Sequence, residues 1–370
     1  MADVLFVWTC GLTQEHARLS RIIIWKLARE RKPDAKLLIW GCLPRQDPSA
    51  IPKLENSVAF GHREVHILEE LIGGSVRYGD VTANYAFPIT PISGVELAYL
   101  QRSRVSDDKF SAFLDICHDQ LCNSLHRRKA EPTYYIMASR GCTGHCTYCS
   151  DRVSCGVIQS KPIERVVTEL RLGLQEGYKR FQLVSTDAGA YGRDLGYTLC
   201  DLLKEIEKID GDYRLHVGAI NPAYLRDMWS DLLPHFSTGK IVETCISGQC
   251  GSDRILKLMG RRHSATEFEE YVKNLQGSCP RVFIATQLMV GFPSETEEDF
   301  VATLGIVDRI DFDHVEVFKF SSRPTTLASR FKEQVSPGIA IRRYRQLVLK
   351  GMLSEIRAAN KRRRIGLVHA

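Results

Sequence analysis

Short apolar segments alternate with helical patterns over most of residues 131–330 of this 370-residue chain. Such alternation is typical of a parallel β-sheet in which a helix follows each strand and returns the chain to the same sheet edge. Because these crossovers are right-handed, six consecutive units close most of the way round a barrel. The sequence therefore predicts an α/β fold with a partial (β/α)6 barrel, whose strands we expect at 133–139, 180–186, 214–220, 240–247, 282–291 and 314–321.

A smaller unit with the same alternation precedes the barrel. Its apolar segments at 3–9, 36–41 and 58–61 are separated by helical patterns, which predicts a small Rossmann-like α/β domain over residues 1–75. Two further segments complete the expected organisation, a linker region with some helix at 76–130 and a basic C-terminal helix at 331–370.

The composition favours a cytoplasmic protein. Its apolar runs, such as Ile22 to Trp25 and Leu37 to Trp40, are far shorter than the ~20 residues that a membrane span needs. The N-terminus lacks the basic region and cleavage site of a signal peptide. In a reducing compartment the twelve cysteines are expected to be buried thiols, metal ligands or catalytic groups and not structural disulfides.

A basic stretch lies near the C-terminus. From Arg342 to Arg364 the chain carries nine Lys or Arg residues and one acidic residue, Glu355, within a formal net charge of +6. Such a stretch suits a polyanion. A helix with a solvated face, whose basic end complements the helix dipole, is the simpler interpretation.

The motif RGCTGHCTYCSDR, residues 140–152, places Cys142, Cys146 and Cys149 in a C-x3-C-x2-C pattern. A zinc site needs four ligands, and no second pair of cysteines stands at a suitable spacing. Thioredoxin-type chemistry uses a lone C-x-x-C pair. Three thiolates can instead bind three irons of a 4Fe–4S cluster and leave the fourth iron open to a small chelating molecule. The pattern therefore predicts an iron–sulfur centre with these three cysteines as metal ligands and catalytic residues.

Several longer motifs follow the triplet in the order TDAGAYGRDLG, INPAYL, QCGSDRILKLMGR, VGFPSETEEDF and FSSRPTTLAS, and the N-terminal region contains ADVLFVWTCGL and LLIWGCLPRQ. Together with the triplet they make nearly the whole chain resemble the radical S-adenosylmethionine methylthiotransferases, most closely the branch that modifies threonylcarbamoyladenosine in tRNA. The resemblance implies a cluster that binds S-adenosylmethionine and a 5′-deoxyadenosyl radical that abstracts a substrate hydrogen.

The resemblance also implies roles for individual residues. Cys10 and Cys42 match two of the three ligands of a second 4Fe–4S cluster, which serves these enzymes as a sulfur donor. Contacts to S-adenosylmethionine or substrate are implied for Tyr148, Ser185, Thr186, Asp187, Asn221 and Gln249. Asp187 and Asn221 could alternatively cap turns, and Arg323 could either clamp a carboxylate or phosphate or face solvent.

Four departures separate the chain from the family pattern. The segment with the first N-terminal cysteine and the C-terminal TRAM domain, which grips tRNA in the family, have no counterpart in the sequence. Cys155 and Gly156 stand where the family has Arg-Gly, and Gln287 replaces an Asp. The third ligand of a second cluster is left open among Cys117, Cys122 and Cys155, each of which could instead be a buried thiol.

These departures favour a radical enzyme that inserts sulfur into a small-molecule or nucleoside substrate, with an auxiliary 4Fe–4S cluster as sulfur donor. The first alternative is a tRNA adenosine methylthiotransferase, for which the basic helix would bind phosphates. The second is a non-catalytic iron–sulfur relic or sensor. A reductant such as flavodoxin or ferredoxin is expected as a partner, and no association with a membrane is expected.

Overall fold

The computed structural model describes residues 3–11, 14–64, 66–72, 84–87, 108–125 and 132–367. Strand bounds in the N-terminal unit are β1 Val4–Thr9, β2 Lys36–Gly41 and β3 Ser57–Phe60, and helix bounds are α1 Gln14–Glu30, α2 Leu43–Gln46 and α3 His66–Ile72. The three strands form a parallel sheet in the order β1-β2-β3. The central strand β2 is almost fully buried, as expected for a parallel strand that is covered on both faces. The predicted small α/β unit is therefore present.

The second sheet has seven strands in the order β12-β11-β10-β9-β8-β5-β4. Six of these strands, β5 and β8 to β12, run parallel and follow one another in chain order, which confirms the partial (β/α)6 barrel. A separate antiparallel pair joins β6 Ser139–Arg140 to β7 Gln159–Ser160. The parallel strands are β5 Thr133–Met137, β8 Arg180–Val184, β9 Arg214–Ile220, β10 Ile241–Gln249, β11 Phe283–Val290 and β12 His314–Lys319.

Helices lie between the barrel strands and beyond the last one. Several begin at strong local signals, such as the capping box of Ser264 with Glu267 and the Pro222 that follows Asn221. Their apolar faces and the strands form one continuous core that contains Phe181, Val217 and Ile284. The helices are α4 Lys109–Leu125, α5 Asp151–Cys155, α6 Ile163–Gln175, α7 Leu199–Glu207, α8 Pro222–Ser237, α9 Asp253–Leu258, α10 Ala265–Ser278, α11 Glu297–Arg309 and α12 Pro337–Arg364.

The region expected to be a linker contributes to the barrel. Its residues 84–87 form β4, which pairs antiparallel with β5 and extends the sheet by one strand. Helix α4 in the same region packs against α12. The sequence did not predict β4, because a four-residue strand gains its stability from the neighbour with which it pairs. The other residues between 73 and 107 lie outside the described part of the chain.

The basic C-terminal helix α12 directs most of its cations toward acidic groups of the barrel. Arg362 is buried, and its Nε and Nη2 lie 2.6 Å from the two carboxylate oxygens of Asp313. Ion pairs of 2.6 to 2.8 Å also join Arg343 to Glu295, Arg345 to Asp108, Lys350 to Asp308 and Arg357 to Asp311. The helix therefore uses its charges mainly to dock onto the barrel, and Lys361, Arg363 and Arg364 are exposed at its end. None of the helices described here is long and apolar enough to span a membrane.

Candidate functional site

A cavity of about 570 Å³ opens at the carboxyl ends of the barrel strands. Loops at this edge of a (β/α) barrel carry the chemistry in essentially all enzymes of that architecture. All six parallel strands contribute to its wall, through residues that include Met137, Val184, Ala219, Ser247, Met289 and Phe318.

The three cysteines of the triplet all line this cavity, in the loop between β6 and α5. The loop wraps closely around the sulfur atoms: the Gly144 amide donates to Cys142 Sγ at 3.1 Å, and a Cβ added to Gly144 would lie 3.2 Å from that sulfur. Gly141 has φ +78°, and a Cβ there would lie 2.2 Å from the carbonyl oxygen of Val157. Glycine is thus required at the start of the loop.

The thiols of the triplet are suited to a metal centre. Burial raises the pKa of Cys142 to about 11 and that of Cys149 to about 12. These thiols therefore stay protonated until a positive centre compensates the thiolate charge. Three thiols on one wall of a cavity, with open space beside them, fit a cluster that has three protein ligands and one open iron.

The six predicted cofactor-binding residues, Tyr148, Ser185, Thr186, Asp187, Asn221 and Gln249, all line the same cavity. The capping interpretation of two of them is also correct. Asp187 accepts a hydrogen bond from Gly189 N at 3.1 Å at the start of a 3₁₀ turn, and Asn221 accepts one from Ala223 N at 3.2 Å at the start of α8. These caps fix the side chains at the rim, so the structural role and a position at the cavity coexist.

Two of these residues hold or border the triplet loop. Thr186 Oγ1 accepts a hydrogen bond from Gly141 N at 3.1 Å, and Asp187 Oδ2 lies 3.6 Å from Cys142 Sγ. Burial raises the pKa of Asp187 to about 6. Ser185 Oγ is buried at the wall and has no hydrogen-bond partner within the described ranges. A buried hydroxyl of this kind is expected to bond a ligand or an ordered water.

Arg261 is a site residue that the sequence reasoning missed. Its Nη2 donates to Ser247 O at 2.5 Å and its Nη1 lies 3.7 Å from Cys146 Sγ. Burial opposes its charge, but electrostatic interactions with Tyr148 and Cys146 keep the pKa of Arg261 above the usual value. The motif that ends in MGR contained this residue, yet only the fold brings it from the end of α9 to the triplet.

Gln287 and Arg323, which the sequence also singled out, line the same cavity. Gln287 accepts a hydrogen bond from Ser247 Oγ at 2.8 Å and donates to Glu316 Oε2 at 2.8 Å. Gln287 lies on β11, so this neutral amide links β10 and β12, the strands on either side of it. Arg323 is only 4% exposed and lines the cavity, so the alternative that it faces solvent is wrong.

The remaining candidate cysteines occupy two different places. Cys10 and Cys42 directly follow β1 and β2, and Cys155 ends α5 and lines the cavity. Cys117 and Cys122 lie on α4, where Cys122 Sγ is 3.8 Å from the carbonyl oxygen of Asp313. Asp313 precedes β12 and is thus at the opposite end of the barrel from the cavity.

Comparisons with known proteins agree with this geometry. Residues 136–306 match the family model of the radical SAM superfamily. The threonylcarbamoyladenosine tRNA methylthiotransferase MtaB of Thermotoga maritima is 30% identical over 370 residues, which cover 99% of this chain and 76% of that protein. A probable threonylcarbamoyladenosine tRNA methylthiotransferase of Archaeoglobus fulgidus is 33% identical, with 99% and 78% covered.

A solved structure supports the fold alone. The radical S-adenosylmethionine methyltransferase TsrM from Kitasatospora setae superposes with a TM-score of 0.58 at 13% identity, over 89% of this chain and 66% of that one. The sequence relatives are much closer and extend over both the N-terminal sheet and the barrel. The chain therefore belongs to the methylthiotransferase family of radical S-adenosylmethionine enzymes.

Proposed function

We propose that this protein inserts sulfur into an adenosine of tRNA as a radical S-adenosylmethionine methylthiotransferase. The observation that carries the proposal is the alignment of 99% of the chain with a relative named as a tRNA methylthiotransferase. The cavity, which gathers the cysteine triplet and the polar strand ends, supports the same chemistry. The relatives thus favour tRNA over the small-molecule substrate that the sequence departures suggested.

Each group at the cavity has a role in this proposal. Cys142, Cys146 and Cys149 would hold a 4Fe–4S cluster, and the polar residues at the ends of β8, β9 and β10 would bind S-adenosylmethionine. When bound, this pair supplies an electron and a reductively cleavable C–S bond, and so the radical that removes hydrogen from the substrate. Arg261 places a cation 3.7 Å from Cys146 Sγ and would stabilise the thiolate form of that ligand.

The chain also holds the rim of its site in a fixed geometry. Asp187 accepts backbone hydrogen bonds from both Gly189 and Asn221, at 3.1 and 3.3 Å, and so joins the ends of β8 and β9. Hydrogen bonds of this kind hold the rim in one geometry before any ligand binds, which is how an enzyme limits side reactions of a reactive intermediate. We further propose a second cluster at Cys10 and Cys42 as sulfur donor, and reduction by a flavodoxin or ferredoxin in the cytoplasm.

A small-molecule or free nucleoside substrate remains the second candidate. It is favoured by Cys155 and Gln287, which replace charged residues of the family pattern, and by the ion pairs that occupy most of the cations of α12. Lys361, Arg363 and Arg364 at the end of that helix are exposed and available to phosphates, whereas the exposed Arg342 pairs with Glu297 at 2.8 Å.

The decisive experiment measures two activities of the reduced, reconstituted protein. We expect it to cleave S-adenosylmethionine, and to bind tRNA with an affinity that falls steeply as salt rises. The triple change Lys361→Ala, Arg363→Ala, Arg364→Ala should weaken tRNA binding and lower the salt slope by about 2. The exposed residues Arg171 and Lys204 on α6 and α7 provide the matched control, because changing them to Ala should leave the slope unchanged.

The outcomes separate the candidates. Cleavage of S-adenosylmethionine without tRNA binding at low salt would replace tRNA by a small-molecule substrate. Loss of cleavage in a protein that retains its iron would refute the radical enzyme and leave an iron–sulfur relic.

A further inference from the structure

The three strands of the N-terminal sheet end side by side. Thr9 pairs with Gly41, and Trp40 pairs with Phe60. The register therefore carries Cys10, Cys42 and His62 out of β1, β2 and β3 as neighbours in one row. Cys42 Sγ lies 3.5 Å from His62 Nε2, and the amide of Cys10 is fixed by the Ser20 hydroxyl at 3.0 Å. Two thiols and one imidazole thus lie side by side at a single sheet edge.

Helix α5 brings a third thiol against this row. The Nε2 of Gln46, at the end of α2, donates to Ser154 Oγ at 2.8 Å, and Ser154 directly precedes Cys155. On the other side of Cys155, a Cβ added to Gly156 would lie 2.1 Å from Arg63 Nη2, next to His62. The residues that flank Cys155 therefore touch the loops that carry Cys42 and His62.

The electrostatics of Cys42 agree with this contact. Burial raises its pKa to about 12, and Asp151, Cys155 and Cys10 lie close enough to add to the effect. A hydrogen bond from Ser154 to the Cys42 thiol opposes it. Such mutual effects are strongest between groups a few ångströms apart. Cys10, Cys42 and Cys155 thus lie near one another, and each is half-buried.

The other two cysteines considered as a third ligand are elsewhere. Helix α4, which carries Cys117 and Cys122, packs against α12, and Cys122 contacts the start of β12. That end of the barrel is opposite to the cavity and to the N-terminal sheet edge.

We propose that Cys10, Cys42 and Cys155 together bind the second iron–sulfur cluster, with a thiol from the barrel domain as the third ligand. This inference rests on the proposed function and deepens it, because it gives the auxiliary centre a set of three protein ligands. The presence of Cys155 where the family has Arg then has a functional explanation.

The proposed ligands of the second centre reach the cavity of the first. Cys149 lies just before α5 and Cys155 ends it, and both line the same cavity. His62 lines that cavity as well. A cluster held in part by Cys155 would therefore have a ligand in the wall of the cavity that contains the triplet.

The test counts iron and acid-labile sulfide in the full-length protein after anaerobic reconstitution. The wild type is expected to hold about eight irons per chain, and Cys155→Ser about four. Cys117→Ser is the matched control, because this cysteine lies on α4, and it should keep about eight irons. Retention of the full count by Cys155→Ser would overturn the inference.

A second background keeps the result independent of the first cluster. The variant Cys142→Ala, Cys146→Ala, Cys149→Ala should hold about four irons with the EPR signal of one reduced cluster, and adding Cys155→Ser should remove both. A folded triple variant without iron would overturn the inference; if it does not fold, the counts in the wild-type background decide. Cleavage of S-adenosylmethionine distinguishes this test from that of the proposed function. A protein with both clusters and no cleavage would refute the function and leave the second site standing.

Discussion

At the scale of single residues, Gly141 shows how one backbone position shapes the site. Its amide bonds Thr186 Oγ1, and its φ of +78° turns the chain from β6 into the cysteine loop. The next residue continues the same anchoring, since Cys142 N donates to Gly156 O at 3.3 Å. Any side chain at position 141 would meet the backbone of Val157, which cannot move away as a flexible side chain could.

We therefore expect Gly141→Ala to lower the free energy of unfolding by roughly 3 kcal/mol, from left-handed strain and a backbone clash, and to reduce the iron bound at the triplet. Gly177→Ala is the control. Gly177 also has positive φ, at +89°, but a Cβ there meets nothing within 4 Å. It should cost only about 1 kcal/mol and leave the iron content unchanged. Equal losses in the two variants, measured by denaturant unfolding and iron assay, would contradict this explanation.

At the scale of elements, one carboxylate joins α4, α12 and β12. Glu355 Oε1 accepts from His118 Nε2 at 2.6 Å, from His314 Nδ1 at 3.0 Å and from Val315 N at 3.1 Å. Burial opposes the ionisation of Glu355, but the hydrogen bonds from the two imidazoles lower its pKa. Burial likewise opposes the charge on His314, yet hydrogen bonds with Cys122 and Glu355 raise its pKa to about 10.

This cluster makes stability depend on pH in a defined direction. Because the folded pKa of His314 lies above its unfolded value of ~6.5, its contribution is fully present below that pH and is lost as pH rises toward 10. Glu355, whose pKa is lowered, contributes above its unfolded pKa of ~4.3 and loses that contribution in acid.

We expect Glu355→Gln to lower the free energy of unfolding near pH 6.5 by about 3 kcal/mol, since it leaves a buried imidazolium without its anion. The decline between pH 6.5 and pH 10 should also be weaker than in the wild type. Asp308→Asn is the control. It breaks a half-exposed ion pair with Lys350, which lies on the same helix as Glu355, and should lower the free energy of unfolding by about 1 kcal/mol or less. The free energy of unfolding, measured with denaturant across this pH range, tests the role of the cluster. An unchanged slope of that free energy against pH in Glu355→Gln would refute it.

At the scale of the whole molecule, polar contacts among the described residues join the N-terminal sheet to the barrel. Gln46 is central to them: its side chain bonds Ser154 at 2.8 Å, and its carbonyl accepts from Thr325 Oγ1 at 3.1 Å. Arg140 Nη1 adds a bond to His62 O at 3.1 Å. These contacts hold the sheet edge that carries Cys10 and Cys42 against the barrel domain.

Gln46→Ala is expected to weaken this docking by about 1–3 kcal/mol, because a buried hydrogen bond is lost. Amide hydrogen exchange should accelerate in β1, β2 and β3, while α7 and α8 keep their protection. Ser49→Ala, which removes an exposed hydrogen bond to Asp47 on the same loop, should leave exchange in the three strands unchanged. Uniform acceleration across both parts of the chain would show that they unfold as one unit.

Much of the molecule was determined by local sequence patterns. The six parallel barrel strands, the three N-terminal strands and the cysteine triplet were predicted because each depends on periodicity or spacing within a short segment. The strand-end residues such as Asp187 and Asn221 were also predicted to meet, since parallel strands bring their carboxyl ends to one edge.

Only the tertiary structure decided what depends on contacts between distant segments. It added β4 to the sheet, brought Arg261 beside Cys146, and directed the cations of α12 to acidic groups of the barrel. It also brought Ser154, next to Cys155, against Gln46 of the helix that follows Cys42, and left Cys117 and Cys122 at the other end of the barrel. The physical reason is the same in each case. Spacing along a chain fixes which ligands one loop can offer, but a site shared by two domains is fixed by how their surfaces pack.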